Sequence, residues 1–85
     1  MTFAVADEAP TGPMVTDYDK AHLKLYLRLL DANAEGAAWE QVARLLLDID
    51  PVAERDRAFR RHESHLARAR WMTERGYLDL LKRGL

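Results

Sequence analysis

Apolar side chains in this chain recur at helical spacing and nowhere alternate. Leu23, Leu27, Leu30 and Ala34 follow at four, three and four residues, with Tyr26 beside them. That spacing puts them on one face of a helix. A first helix is predicted to begin at Thr16 or Asp17 and to stop at Gly36. Thr16 and Asp19 stand in the relation of a capping box, with aspartate where glutamate is commoner. Asp17 and Asp19 also lie where the helix dipole favours negative charge, and Gly36 is a natural helix stop. A second helix is predicted from about Ala38 to Leu47, with Trp39, Val42, Ala43 and Leu46 on one face. It cannot easily run on, because Pro51 disfavours helical geometry at Asp50. A third helix is predicted to start between Pro51 and Arg55 and to run to Arg75, with Gly76 as its end. Phe59, His62, Leu66 and Ala69 form its expected inner face, with Ala58 and Met72 beside them. Its expected outer face carries Arg57, Arg61, Ser64 and Arg68. Tyr77, Leu78, Leu80 and Leu81 predict a short fourth helix closing over the core.

The fold class is therefore all-α: a small helix-turn-helix bundle of three main helices and a short C-terminal one. With 85 residues there is room for one domain. A domain of this size buries only about 60% of the surface its unfolded chain exposes, so its apolar residues must be used economically. Residues 1–16 contain Pro10, Gly12 and Pro13 and show no apolar period. They are expected to be a flexible tail ahead of a helix-turn-helix domain over residues 17–85, although Phe3 and Val5 offer apolar anchors. The chain has no cysteine, which excludes disulfides and thiolate metal sites within it. No apolar run approaches the ~18 residues of a membrane span, and Met1 to Pro13, with Asp7 and Glu8, lacks the pattern of a signal peptide. The expectation is a cytoplasmic protein without a membrane partner.

Charge changes the picture. The net charge is −1, whereas dedicated DNA-binding domains usually carry a basic excess. The distribution is uneven: residues 1–50 hold nine acidic and four basic side chains, net −5, and residues 51–85 hold nine basic and five acidic, net +4. The layout from Trp39 to Arg68 is that of a helix-turn-helix, a short helix, a turn and a longer helix with an arginine-rich outer face. The turn, Asp48 to about Glu54, is longer than the three or four residues usual for that motif. Arg57, Arg61, Ser64 and Arg68 would suit phosphate or guanine contacts, or would be a solvated face neutralised by Glu54, Asp56, Glu63 and Glu74. Asp48 and Asp50 oppose DNA, because the turn lies beside the groove in this motif. His62 and His65 are three apart but have no third ligand at helical spacing, so they read as core or interface histidines. Ser64 has no evident pocket or oxyanion hole. No enzyme activity, cofactor, metal or small-molecule substrate is expected.

Several runs resemble a known family: Asp17-Tyr18-Asp19-Lys20-Ala21-His22-Leu23, Leu27-Arg28-Leu29-Leu30-Asp31, Trp39 with Val42-Ala43, and above all Ser64 to Thr73 followed by Glu74, Gly76 and Tyr77. They resemble the proteobacterial extended-turn helix-turn-helix domain, formerly a domain of unknown function, found in regulators of integrative and conjugative element transfer. Its members serve either as the DNA-binding part of larger transcriptional activators or as stand-alone acidic antiactivators of the QseM-like kind. The resemblance, with the slight negative charge and a chain read as stand-alone, implies an antiactivator in a quorum-sensing circuit. Such a protein binds a transcriptional activator through protein–protein contact, mimicking the activator's own helix-turn-helix domain, with DNA binding weak or absent. Tyr26, Trp71, Met72 and Tyr77 are the expected docking residues. The alternative is a DNA-binding regulator using Arg57, Arg61, Ser64 and Arg68, and a more distant one is a toxin–antitoxin or phage-type accessory protein of the same fold.

Overall fold

The computed structural model describes residues 5–76, and among these the chain forms four α-helices and no strand. They are α1 (Asp17–Ala21), α2 (Leu23–Ala34), α3 (Trp39–Leu46) and α4 (Arg55–Trp71), and α4 passes into a π-helical turn at Met72–Gly76. The expected fourth, C-terminal helix lies outside the described residues.

Local chemistry sets most boundaries. Thr16 caps α1: its hydroxyl accepts from the Asp19 N–H at 3.1 Å, and the Asp19 carboxylate accepts from the Thr16 N–H at 2.9 Å. The predicted single first helix is broken at His22, whose φ of −112° departs from helical geometry. The break is held by the His22 ring, which donates from Nδ1 to the Tyr18 carbonyl at 2.8 Å and stacks on the Tyr18 ring at 3.9 Å. Gly36 adopts φ +77° and ends α2 in a Schellman arrangement: Gly36 N–H bonds the Asn33 carbonyl and Ala37 N–H the Ala32 carbonyl. Beyond α3, Asp48 takes φ +53°, a left-handed conformation that aspartate tolerates better than most residues. It swings Ile49 inward, and the Ile49 N–H reaches back to the Ala43 carbonyl at 3.3 Å. Asp50 then steadies the long turn by accepting from the Val52 N–H at 2.8 Å.

α4 packs against both α2 and α3. The core between them consists of Tyr26 and Leu29, Val42 and Ala43, Leu47 and Ile49 from the turn, and Ala58, Leu66, Ala69 and Met72. Two faces match those expected only in part: Tyr26 on α2 and His62, Leu66 and Ala69 on α4 are buried as predicted, and the rest differ. On α2, Leu23 and Leu27 are exposed while Tyr26 and Leu29 are buried. The Tyr26 hydroxyl is tied to Asp19 at 2.7 Å, which fixes the rotation of the helix. On α4, Phe59 is 46% exposed, whereas Arg61, His65 and Arg68 are buried. The reason is a third packing partner: residues 5–16, the described part of the expected tail, lie along α4. Ala9 is 4% exposed there, and its N–H bonds Ser64 Oγ at 3.1 Å. Covered by α2, α3 and this arm, α4 buries a wide arc instead of one stripe.

Candidate nucleic-acid interface

The four residues expected to face outward from α4 all meet the arm. Arg57 donates from Nε to Asp7 Oδ1 at 2.8 Å and from Nη1 to Glu54 at 2.6 Å. Arg61 donates from Nη2 to the same Asp7 oxygen at 2.7 Å and from Nη1 to the Leu47 carbonyl at 2.8 Å. Ser64 receives the Ala9 N–H and donates to the Arg61 carbonyl at 3.3 Å. Arg68 is 3% exposed and extends donors to both Asp19 oxygens, at 3.0 and 2.6 Å, and to the Gly12 and Met14 carbonyls at 2.7 and 2.8 Å. The Arg68 guanidinium also stacks on the Trp71 ring at 3.8 Å. Arg57 thus remains half-exposed, while Arg61 and Arg68 are structural cations at the surface where the sequence placed a solvent-facing stripe.

Electrostatics follow the geometry. The Arg61 and Arg57 hydrogen bonds hold the Asp7 carboxyl below the usual carboxylate range, and Asp7 in turn raises the pKa of Arg57. Burial pushes the Asp19 carboxyl up, but Arg68, the Thr16 N–H and the Tyr26 hydroxyl together outweigh it, leaving Asp19 lowered. Burial raises Tyr26, and its bond to the Asp19 carboxylate raises it further. Beside this pair runs a neutral chain: the Ala6 N–H bonds the Tyr18 hydroxyl at 3.0 Å, Tyr18 donates to His65 Nε2 at 2.6 Å, and His65 Nδ1–H donates to the Arg61 carbonyl at 2.7 Å. That arrangement suits a neutral imidazole, and burial lowers the His65 pKa accordingly.

The remaining expected residues are dispersed. Tyr26 and Met72 are core residues, 2% and 6% exposed, and so offer no docking surface. Trp71 is half-buried under Arg68, and Tyr77 lies outside the described residues. Asp48 and Asp50 are exposed on the turn, and both have local duties, Asp48 in the backbone reversal and Asp50 in binding the Val52 N–H and facing Arg44 at 3.8 Å. His62 donates from Nδ1 to Glu63 at 2.8 Å and tilts toward Trp39. Among the described residues no group of three metal-ligating side chains gathers, and no helix is long and apolar enough to cross a membrane. Sequence reasoning missed Asp7 and Tyr18 as partners of α4, and His65 as the α4 residue that Tyr18 meets. The signal was the charge asymmetry: an acidic N-terminal half and a basic C-terminal half attract one another.

The described residues form a small all-helical bundle of the helix-turn-helix class. The family model RovC_DNA-bd, described as T6SS, Transcription factor, DNA binding domain, matches residues 1–82. The chain therefore belongs to this family of transcription-factor DNA-binding domains, which is not an enzyme family. The match takes in the arm as well as the helices. No curated protein matches the chain.

Proposed function

We propose that this protein is a negative regulator of transcription of the QseM-like antiactivator kind, acting in the cytoplasm on a transcriptional activator of mobile-element transfer. In this reading it competes with the activator's own domain of the same family. The observation that carries the reading is internal neutralisation. Asp7 takes up Arg57 and Arg61, Asp19 takes up Arg68, and Glu54 shares Arg57. An α4 with Arg57, Arg61 and Arg68 already paired has less field left for a phosphate backbone.

Because Tyr26 and Met72 are core residues, the docking face is placed elsewhere. Phe59 stands edge-on to Trp39 with ring centroids 5.0 Å apart, in an open groove lined also by Glu8, Asp56, Arg60, Glu63 and Ser64. An exposed aromatic ringed by carboxylates fits a basic segment of a partner. The test is titration calorimetry against an activator lacking its own copy of the domain. Binding should be micromolar or tighter, and Phe59→Ser should weaken it about tenfold or more. No heat at tens of micromolar (roughly the limit for a specific regulatory contact) would remove the antiactivator reading.

The second reading is a DNA-binding regulator, and the family match favours it. It differs in salt dependence. Six or more phosphate contacts would cost on the order of a thousandfold in affinity between low and physiological salt.

A further inference from the structure

We infer that Arg57 and Arg61 form a binding site for a nucleic-acid backbone phosphate, and that Asp7 of the same chain holds this site shut. The inference rests on the family's DNA-binding reading and adds where the backbone binds and what competes with it.

One Asp7 oxygen lies 2.8 Å from Arg57 Nε and 2.7 Å from Arg61 Nη2. A single anionic oxygen shared by two guanidinium groups is where a phosphate oxygen sits when two arginines clamp it. The fit of the aspartate is incomplete. In a guanidinium the Nε–H and the Nη2–H point the same way and form one fork. Asp7 meets only the Nη2 side; Arg61 Nε is buried with no hydrogen-bond partner. A phosphate, with two unesterified oxygens, can fill both prongs at once. Arg61 is pre-oriented for it, because Nη1 is pinned to the Leu47 carbonyl at 2.8 Å.

Ser64, one turn further along α4, holds the Ala9 N–H and would become a hydroxyl donor to phosphate once that segment lifts. These three residues occupy the first three turns of α4 (Arg55–Trp71). The N-terminal part of a recognition helix is the part that approaches DNA.

The arm is built to lift only in part. Asp7 is 45% exposed in its side chain, and its pair with Arg57 is half-exposed on both sides; such pairs are weak, and an incoming anion can take over the bond to Arg61 as Asp7 leaves. Glu8 adds only a loose pair with Arg60 at 3.9 Å. Five and seven residues beyond Asp7, the Gly12 and Met14 carbonyls are pinned by Arg68, itself locked to a fully buried Asp19. Residues 5–9 are thus a latch on a fixed post.

The test is anisotropy of a labelled DNA duplex of arbitrary sequence at low salt, run beside amide exchange at Ala6 and Ala9. The whole chain is compared with Asp7→Asn, with Glu8→Gln, and with Asp7→Asn combined with Arg57→Ala. Asp7→Asn should lose protection at both amides and bind about tenfold tighter, roughly the effect of freeing one or two phosphate contacts. Glu8→Gln removes the same charge without opening the clamp and should bind within about twofold of the parent. Arg57→Ala should abolish the gain. Equal gains from Asp7→Asn and Glu8→Gln would reduce the effect to net charge and overturn the proposal. So would a gain that survives Arg57→Ala, or amides still protected in Asp7→Asn. If no variant binds DNA although the arm opens, the DNA-binding reading itself fails. If parent and Asp7→Asn bind alike, the latch alone fails.

Discussion

Asp19 accepts from Tyr26, Arg68 and Thr16 at 0% exposure, and the energetics of the molecule are most concentrated there. A buried carboxylate is tolerable only while its partners stay in place. Removing one side should therefore cost far more than the pair contributes. Arg68→Ala is expected to lower unfolding free energy by about 3–5 kcal/mol in urea titrations. Arg68→Lys should fall nearly as far, since an ammonium cannot hold both Asp19 oxygens and two carbonyls in one plane. Titration at this scale has two signs to work out. The folded-state pKa of Asp19 is depressed from 3.8, so its stabilisation is complete above that value and is lost as pH falls through the folded pKa. The His65 pKa is depressed from 6.5 by burial, with His22 and Arg61 adding repulsion against the bond to the Arg61 carbonyl. Neutral His65 stabilises the fold fully above pH 6.5, and stability declines below it until the folded pKa is passed. Proton resonances of His65 should titrate below 6.5, and the urea midpoint should drop between pH 7.5 and 5.5; a His65 titration above 6.5 would contradict the Tyr18-to-Arg61 chain.

The elements divide into those written locally and those decided by packing. Thr16 with Asp19 announces α1, Gly36 announces the end of α2, and Asp50-Pro51 bounds the long turn; each rests on the conformational preference of one or two residues. Thr16→Ala should cost about 1 kcal/mol. Asp48, at φ +53°, is a turn device that the sequence reading assigned to charge. Asp48→Gly is expected to hold or raise the melting temperature, while Asp48→Val should cost about 1–2 kcal/mol, both by thermal denaturation. The buried face of α4 was less legible. Its apolar residues are sparse: His62, Leu66 and Ala69 of the expected stripe are buried, but Phe59 is not, and Arg61, His65 and Arg68 are buried beside them. What widened the buried arc was the arm, whose hold on α4 comes from single carboxylates, amides and carbonyls that leave no period in the sequence. The candidate site was legible in part for the same reason. Arg57, Arg61, Ser64 and Arg68 do share one surface, but nothing in their spacing revealed that Asp7, Asp19, Gly12 and Met14 would meet them there.

At the scale of the whole molecule, the two halves carry opposite charge, −5 and +4, and among the described residues Asp7 and Asp19 of the first meet Arg57, Arg61 and Arg68 of the second. The arm's Asp7 and Glu8 offset part of the positive charge of α4. Raising salt should weaken the exposed Asp7 pairs more than the buried Asp19 pair, so amide exchange at Ala6 and Ala9 should speed up by 1 M salt while the urea midpoint changes little. The same geometry bears on how the chain assembles. Helical bundles usually fold fast because their contacts are local, but Asp7, Gly12, Met14 and Asp19 meet partners 49 to 56 residues away. During synthesis the arm leaves the ribosome long before the residues that receive it. The first helices must wait, with a carboxylate at Asp19 that has no cation yet, until Arg68 emerges. Folding of this small protein is thereby tied to its last long helix, and a chain stopped before that point has no native resting place for its beginning.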